Sequence, residues 1–318
     1  MNNNLLLNIE FKELVTDFRK ELVKENKSNS FIEETVNHVT ELLGYAEENG
    51  ISTMNNLSQQ LLNDYSIYLE QERINKRRGS LLSAGTIRKH HSSINNFFNY
   101  LKAEKVFVPN IHLKRRKVSH PEKPAIALTH QEIEWLYSVT DNSALGYRDR
   151  CMLSIYYGCG LRKIEGLRIL LTDIDFNSRR IFIGKSKTNS QNYVTAAPKV
   201  LQYIEEYVYQ YRDVYLRENS AHNELFISER GVPMHPETIA NRIKVLWKRV
   251  REQYGSEKHI GCHTLRHTLG THLYMAGLDI ETIAFMLRHK TLQSTQVYIH
   301  LANELTNTSK LVAAHEYI

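Results

Sequence analysis

Apolar residues in the first hundred positions recur at steps of three and four, the spacing of one face of an α-helix. The four runs are Phe11, Leu14, Val15, Phe18 and Leu22; Ile32, Val36, Val39 and Leu43; Leu61, Leu62, Tyr65 and Leu69; and Ile87, Ile94, Phe97, Phe98 and Leu101. Polar segments join them, and Ser30 is predicted to cap the second helix through its hydroxyl. Four short amphipathic helices predict a small helical bundle over residues 1–110.

A different pattern covers residues 111–124, where prolines and basic residues replace the apolar periodicity. It predicts an extended linker, which can act as a simple hinge, as a basic connection that follows a DNA backbone, or as both. Helical periodicity resumes in a second domain, residues 125–318, and its first helix is predicted from a capping box of Thr129 and Glu132. The chain is therefore expected to be mainly α.

One segment of the second domain has the character of β-structure. Residues 181–183 and 193–195 are rich in β-branched and aromatic side chains, and they flank the polar residues 184–192. This pattern predicts a hairpin with a long basic loop, so an α+β class is expected for the second domain.

Composition narrows the possible classes of protein. A length of 318 residues with 42% hydrophobic side chains suits two globular domains. Every apolar stretch falls short of the roughly 20 residues of a membrane span, and the first residues lack the charged start of a secretory signal. Cys151, Cys159 and Cys262 are odd in number and lack metal-ligand spacing. Neither a disulfide scaffold nor a cysteine zinc site is expected. The sequence instead predicts a location in the reducing cytoplasm.

Charge is distributed unevenly along the chain. The net charge is +6, yet residues 1–72 carry 5 basic and 13 acidic side chains, whereas residues 73–120 carry 12 basic side chains and one acid. A basic block beside an acidic one predicts a polyanion-binding face, and its alternative is an ordinary solvated surface.

Part of the basic block falls in the fourth predicted helix, where Arg88, Lys89, His90 and His91 follow one another. This helix, or its start, is expected to lie against the phosphates of a nucleic acid. The residues predicted to contact DNA, here and in the linker, are Arg77, Arg78, Arg88, Lys89, Lys114, Arg115, Arg116 and Lys117.

Three separated motifs carry the candidate chemistry. They are Gly158-Cys159-Gly160-Leu161-Arg162-Lys163-Ile164-Glu165; His263-Thr264-Leu265-Arg266-His267; and Leu287-Arg288-His289-Lys290 with Tyr298 nine residues after His289. In combination and order these motifs resemble the tyrosine recombinases, the integrase and Xer-type enzymes that cut and rejoin DNA. The resemblance covers nearly the whole chain and implies a four-helix, SAM-like core-binding domain followed by a catalytic domain. One departure is Arg288, which stands where the family usually has glycine.

The resemblance implies a role for each residue, and these roles agree with the chemistry of phosphodiester cleavage. Tyr298 is expected to be the nucleophile and to form a 3′-phosphotyrosine, which needs no ATP, metal or other cofactor. Arg162 and Arg266 would clamp the phosphate oxygens. The resemblance makes Lys185 the general acid, with Lys187 as its alternative. It makes His263 and His289 phosphate ligands that help to move the tyrosine proton, and Glu165 a supporting acid.

Several alternatives stay open at the level of sequence. The two arginines could be ordinary surface cations, and His263 and His267 are spaced like zinc ligands on a helix. A type IB topoisomerase shares this chemistry, and a DNA-binding regulator could use an inactivated scaffold. Arg288 could crowd the site or add a phosphate contact. The resemblance also implies that double-stranded DNA is the partner and that four copies of the chain assemble on paired recombination sites, coupled through their C-terminal tails. The task would be either integration and excision of a mobile element or resolution of replicon dimers.

Overall fold

The computed structural model describes residues 6–75, 79–106, 113, 125–184, 193–218, 221–289 and 291–315, with side chains up to residue 307. The chain divides into two compact units, Met1–Lys123 and Pro124–Ile318. Every helix of the described residues is too short or too polar to cross a membrane.

The first unit is a helical bundle, as the apolar periodicity predicts. Its helices are α1 (Ile9–Lys24), α2 (Asn29–Glu48), α3 (Gln59–Gln71) and α4 (Ala84–Ala103). Between α3 and α4, two short strands, β1 (Ile74–Asn75) and β2 (Ser80–Leu81), pair antiparallel. Helix α2 begins two residues earlier than expected, because Ser28 rather than Ser30 accepts the capping hydrogen bond, from the Phe31 amide.

The core of the bundle includes aromatic and imidazole rings. Phe18 and Phe97 pack with their ring centroids 5.2 Å apart. His90 and His91, in the helix that the sequence predicts to lie against phosphates, are buried at 4% and 3% exposure. A run of four neighbouring residues on a helix must cover all of its faces, so two of the four point inward.

The second unit is also mainly helical. Its helices are α5 (His130–Ser138), α6 (Ala144–Leu153), α7 (Lys163–Leu167), α8 (Pro198–Glu206), α9 (Pro236–Tyr254), α10 (Cys262–Met275), α11 (Ile280–Met286) and α12 (Val297–His315). Wider π-helical turns extend α6 through Ser154–Gly158 and α8 through Tyr207–Tyr211. The predicted capping box is confirmed: Thr129 accepts from the Glu132 amide, and Glu132 accepts from the Thr129 amide.

The predicted hairpin is confirmed, and a third strand joins it. Strands β3 (Ile174–Asp175), β4 (Arg180–Phe182) and β5 (Tyr193–Thr195) form one antiparallel sheet in that order. Phe182 is opposite Tyr193, so the pairing continues to the base of the predicted basic loop. Lys185 and Lys187 in that loop lie outside the described residues.

Two apolar clusters hold the second unit together. The larger contains Trp247, whose indole N–H donates to the Lys258 carbonyl, while Trp135 stacks on Tyr254 at its edge. The smaller is formed by Ala127, Ile283, Leu287, Tyr298, Leu301 and Leu305. Tyr298, from the third motif, is therefore part of the smaller apolar cluster.

Candidate active site

Tyr298 lies in the first turn of α12, with its side chain fully buried. Its ring packs directly against α10 at Gly270, where a Cβ atom would come within 2.5 Å of two ring carbons. Burial raises the pKa of the Tyr298 hydroxyl, whereas the charges of Arg266 and Arg162 and a hydrogen bond from Arg266 act to lower it. The phenol is thus neutral in this environment but is held where positive charge can stabilise a phenolate.

His289 is the nearest proton acceptor to the phenol. Its Nε2 atom lies 3.4 Å from the Tyr298 Oη atom, and its Nδ1 atom lies 2.7 Å from Thr295 Oγ1. Burial, followed by the charges of Arg266 and Arg162, lowers the pKa of His289 to about 4. The ring is neutral near pH 7, and in the tautomer with a proton on Nδ1 its Nε2 can accept the tyrosine proton.

The end of α11 fixes the position of His289. The Arg288 amide donates to the Phe285 carbonyl and the His289 amide donates to the Ala284 carbonyl, which is the Schellman pattern of a helix C-terminus. This ending requires a left-handed residue, and Arg288 adopts φ +56°. Glycine accepts this conformation readily, whereas a residue with a Cβ pays about 1 kcal/mol or more for it. The helix ending therefore explains why glycine suits this position, and here an arginine occupies it.

The first motif forms the turn that leads into α7. Gly160 has φ +60°, and a Cβ atom there would come 2.6 Å from Leu287 and 2.7 Å from Leu269. Arg162 follows as the residue before α7, and its amide donates to Glu165 Oε2 over 2.9 Å. The Arg162 guanidinium donates to Glu165 Oε1 over 2.7 Å. The glycine turn thus allows close packing and places an arginine–carboxylate pair beside α11.

Arg266 supplies a second guanidinium to the site, and unlike the half-exposed Arg162 it is buried, at 3% exposure. It donates to the Gly160 carbonyl over 2.7 Å and to the Leu287 carbonyl. Burial, followed by the charges of Arg162 and Arg288, lowers the pKa of Arg266 to about 10, so it remains protonated at neutral pH. A guanidinium has five N–H donors, more than these carbonyl acceptors occupy, so Arg266 can also donate to a phosphate.

The histidines of the second motif, His263 and His267, both lie on α10. His263 is exposed at the start of α10, and the ring centroids of His263 and His267 are 6.4 Å apart. Partial burial and neighbouring positive charge lower the pKa of both rings. Across the described ranges, no three His, Cys, Asp or Glu side chains are grouped closely enough to hold a metal ion.

Comparison with known proteins places the chain in a family. Residues 127–304, more than half of the chain, match the phage integrase family. The chain belongs to the phage integrase family. It is 30% identical over 231 residues to the tyrosine recombinase XerC of Bacillus subtilis, covering 70% of this chain and 73% of the relative. It is 28% identical over 264 residues to tyrosine recombinase XerC 2 of Ralstonia nicotianae, covering 82% and 73%.

Solved structures show the same fold. XerH recombinase bound to palindromic difH substrate in a post-cleavage complex matches with a TM-score of 0.68 at 18% identity, covering 92% of this chain and 84% of that one. The Tn1549 transposon integrase in complex with transposon right end DNA matches with a TM-score of 0.66 at 16% identity, covering 94% and 99%. The resemblance to tyrosine recombinases and the mainly helical fold class are therefore confirmed.

In this phage integrase family member, five predicted site residues lie in one network. Arg162, Glu165 and Arg266 contact one another or the carbonyls around α11, and His289 and Tyr298 complete the group. His263 lies near this group at the first turn of α10. Of the other residues predicted for catalysis, Lys185 lies outside the described residues.

The predicted DNA-binding residues are only partly described. Arg88 and Lys89 are exposed on α4, and the Lys89 ammonium lies 2.8 Å from Glu34. Arg77, Arg78, Lys114, Arg115, Arg116 and Lys117 lie outside the described residues.

Sequence reasoning missed two contributors to the site, Thr295 and Gly270, and it named Arg288 without predicting its contact with Glu165. Thr295 contacts His289, Gly270 makes room for the Tyr298 ring, and the side chain of Arg288 reaches Glu165. Thr295 gives no signal, because threonine is common in any segment. Gly270 interrupts the α10 pattern, which is a signal for close packing, and Arg288 is recognisable as a departure from the family.

Proposed function

We propose that this chain is a site-specific DNA recombinase that cuts and rejoins duplex DNA through a 3′-phosphotyrosine on Tyr298. The observation that carries the proposal is the approach of His289 Nε2 to within 3.4 Å of the Tyr298 hydroxyl, in a group that also contains Arg162 and Arg266. A nucleophile, a neutral base and two guanidinium groups are the parts that phosphoryl transfer to a hydroxyl requires.

In the proposed cleavage step, the Tyr298 oxygen attacks phosphorus while its proton passes to His289. The new bond joins Oη to phosphorus, and the bond from phosphorus to the 5′-oxygen breaks. Arg162 and Arg266 donate hydrogen bonds to the non-bridging oxygens, where negative charge develops. Lys185, or Lys187 in its place, protonates the leaving 5′-oxygen, and His263 at the rim adds a phosphate contact.

Rejoining reverses these roles without an external energy source. The 5′-hydroxyl of another strand attacks the phosphotyrosine and gives its proton to Lys185 or Lys187, and the Tyr298 oxygen leaves with a proton returned by His289. Each step exchanges one phosphoester for another, so ATP and metal ions are not required for the balance of bonds.

Duplex DNA is the proposed partner, and the first unit is proposed to hold it. The XerH recombinase structure contains its palindromic difH substrate, and the Tn1549 integrase structure contains transposon right end DNA. We assign DNA binding to residues 1–110, a basic linker to residues 111–124 and catalysis to residues 125–318. The exposed face of α4, with Arg88 and Lys89, is the described part of that DNA-binding surface.

The proposed assembly is a tetramer on two recombination sites, with strands exchanged in pairs. A protein acting on a chromosome or a mobile element in this way would work in the bacterial cytoplasm, where its DNA is found.

The test traps the covalent intermediate. Duplexes bound by the purified Tyr298→Phe protein are selected from a random pool, and a nick is placed beside the cleavage position so that the released fragment diffuses away. Wild-type protein is expected to form a DNA adduct that survives denaturant, and Tyr298→Phe is expected to form none. Tyr254→Phe, at the C-terminal end of α9 where the ring stacks on Trp135, is the matched control and should form the adduct normally.

The outcomes discriminate between functions. An adduct that persists in Tyr298→Phe would assign the nucleophile elsewhere. Binding without any adduct in the wild-type protein would favour a DNA-binding protein on an inactivated scaffold.

A further inference from the structure

Arg288 is the departure from the family pattern, and its side chain turns inward rather than toward solvent. The side chain is 9% exposed, and its Nη2 atom donates to Glu165 Oε2 over 3.0 Å. Its Nη1 atom donates to the Met286 carbonyl over 3.2 Å. Its buried Nε atom has no hydrogen-bond partner among the described residues. This arrangement leaves the guanidinium committed to the protein rather than extended toward DNA.

The contacts of Arg288 close a ring with the first motif. Glu165 accepts from the Arg162 side chain over 2.7 Å and from Arg288 over 3.0 Å. Arg162 in turn donates to the Arg288 carbonyl over 2.8 Å. The Arg266 Nη1 atom lies 3.9 Å from Glu165 Oε2, the oxygen that also accepts from Arg288. One carboxylate is therefore shared by three guanidinium groups, two of which are the proposed phosphate clamp.

We propose that Arg288 is a positioning residue that holds Glu165 and thereby orients Arg162 and His289 for DNA strand cleavage. This inference rests on the function proposed above. The backbone of Arg288 receives Arg162 and directly precedes His289, while its side chain binds the carboxylate that pairs with Arg162. A single residue thus links the α7 and α11 sides of the site.

The charge balance supports this role. Burial by itself raises the pKa of Glu165, but the Arg162 amide and the charge of Arg288 are the leading opposing effects, and the result is a pKa of about 2. The carboxylate stays ionised, and Arg288 supplies part of its compensation. Without Arg288, Glu165 would depend more on Arg162 and Arg266, which would then be less able to donate to a phosphate.

The test uses Arg288→Gly in the full-length protein. Glycine accepts φ +56°, so this variant removes the side chain while preserving the helix ending. Arg179→Gly is the matched control, because Arg179 is an exposed arginine that also has φ +56°. Three quantities are measured for each variant: the single-turnover cleavage rate on saturating nicked duplex, the Kd for the same duplex, and the melting temperature.

We expect Arg288→Gly to cleave about tenfold to a hundredfold more slowly, the effect of a misplaced catalytic group. Its Kd should stay within about twofold of wild type, and its melting temperature should not fall enough to unfold it at the assay temperature. Arg179→Gly should match wild type. Arg288→Lys keeps the charge but not the planar fork, so it should restore part of the rate.

A pH profile separates positioning from simple packing. The charged and titratable groups that face Glu165 are Arg162 on its own segment, Arg288 after α11, and Arg266 and His263 on α10. Losing Arg288 raises the pKa of Glu165 toward its ordinary value. Cleavage by Arg288→Gly should therefore decline at a higher pH on the acid side than cleavage by wild type.

Double substitution provides the last check. If Arg288 acts through Glu165, Glu165→Gln should slow Arg288→Gly by a smaller factor than it slows wild type. The inference is overturned if Arg288→Gly cleaves at the wild-type rate, or if it loses affinity for DNA while its saturated rate is unchanged, which would identify a phosphate contact. Failure of wild-type protein to form any adduct would instead reject the proposed function.

Discussion

Each of the two units contains a histidine whose pKa is strongly lowered by burial, yet only one of these histidines lies beside Tyr298 and the arginines of the candidate site. In the bundle, His90 stacks on His38 with ring centroids 3.7 Å apart, and burial lowers the pKa of His90 to about 3. In the second unit, burial lowers the pKa of His289 to about 4, and the ring faces Tyr298. Burial and a shifted pKa therefore do not by themselves identify a catalytic histidine.

The difference is in the surrounding charge. After burial, the charges that lower the pKa of His90 are those of two neighbouring histidines, His38 and His91, and of Arg73, which is paired with Glu41. Around His289, the charges of Arg266, Arg162 and Arg288 all act in the same direction. Uncompensated positive charge beside a neutral base is stable only if an anion binds there or the protein compensates elsewhere. An excess of guanidinium groups therefore distinguishes the candidate site around His289 from the core of the bundle around His90.

Exchanging the two histidines for glutamine tests this difference most strongly. His289→Gln removes the proton acceptor, and cleavage of saturating nicked duplex should slow by about a thousandfold. His90→Gln should leave that rate unchanged and lower the melting temperature instead. Equal rate losses in the two variants would contradict the distinction drawn here.

The clamp arginines should show the next largest effect. Arg162→Lys and Arg266→Lys keep a positive charge but lose the fork of donors, so each should slow single-turnover cleavage by about a hundredfold. Arg242→Lys is the control, because Arg242 forms a buried ion pair with Asp149 in the same unit. It should reduce thermal stability while the cleavage rate below the melting transition is maintained.

Gly270→Ala should have a smaller effect on the same reaction. The new Cβ would come within 2.5 Å of the Tyr298 ring, so the ring must move away from α10. We expect cleavage to slow by about tenfold, the order of effect of a small misplacement of a reacting group. Alanine favours helix by up to about 1 kcal/mol over glycine, so a stable but slow variant is the diagnostic result. A variant with unchanged rate would show that the ring has room to shift.

The free energy of unfolding at acid pH should depend on His90 of the bundle, whereas the rate of DNA cleavage should not. The pKa of His90 falls from 6.5 to about 3 on folding, so the unfolded chain binds a proton first as the pH drops. His90 therefore lowers the free energy of unfolding progressively from pH 6.5 toward pH 3, by up to about 1.4 kcal/mol per pH unit. In His90→Gln this dependence should be weaker, as measured by denaturant unfolding of the full chain across that range. A slope equal to that of wild type would assign the acid sensitivity to other groups.

The sequence predicts elements better than it predicts neighbours. The apolar runs predict the four bundle helices, and the short β-branched and aromatic segments around a polar loop predict the hairpin, because both signals are local in sequence. The inward positions of His90 and His91 were not predicted, since counting basic residues ignores which helix face each occupies. The choice of Ser28 over Ser30 as cap was also missed, because neighbouring serines offer the same hydroxyl.

The candidate site is predictable in its parts but not in its connections. The three motifs supply Arg162, Arg266, His289 and Tyr298, whose types suit phosphoryl transfer. Their contacts depend on residues separated by more than a hundred positions, as between Arg162 and the Arg288 carbonyl. Periodicity carries no information on such contacts. The inward path of the Arg288 side chain was therefore not foreseeable, although its departure from the family pattern was visible.

The central claim is that the Tyr298 oxygen becomes bonded to phosphorus. The most direct measurement is mass spectrometry of the protein–DNA adduct after digestion with trypsin and nuclease. The account predicts a single modified peptide, with a nucleotide 3′-phosphate attached to Tyr298. A phosphate attached to any other side chain, or to a 5′ end, would contradict it.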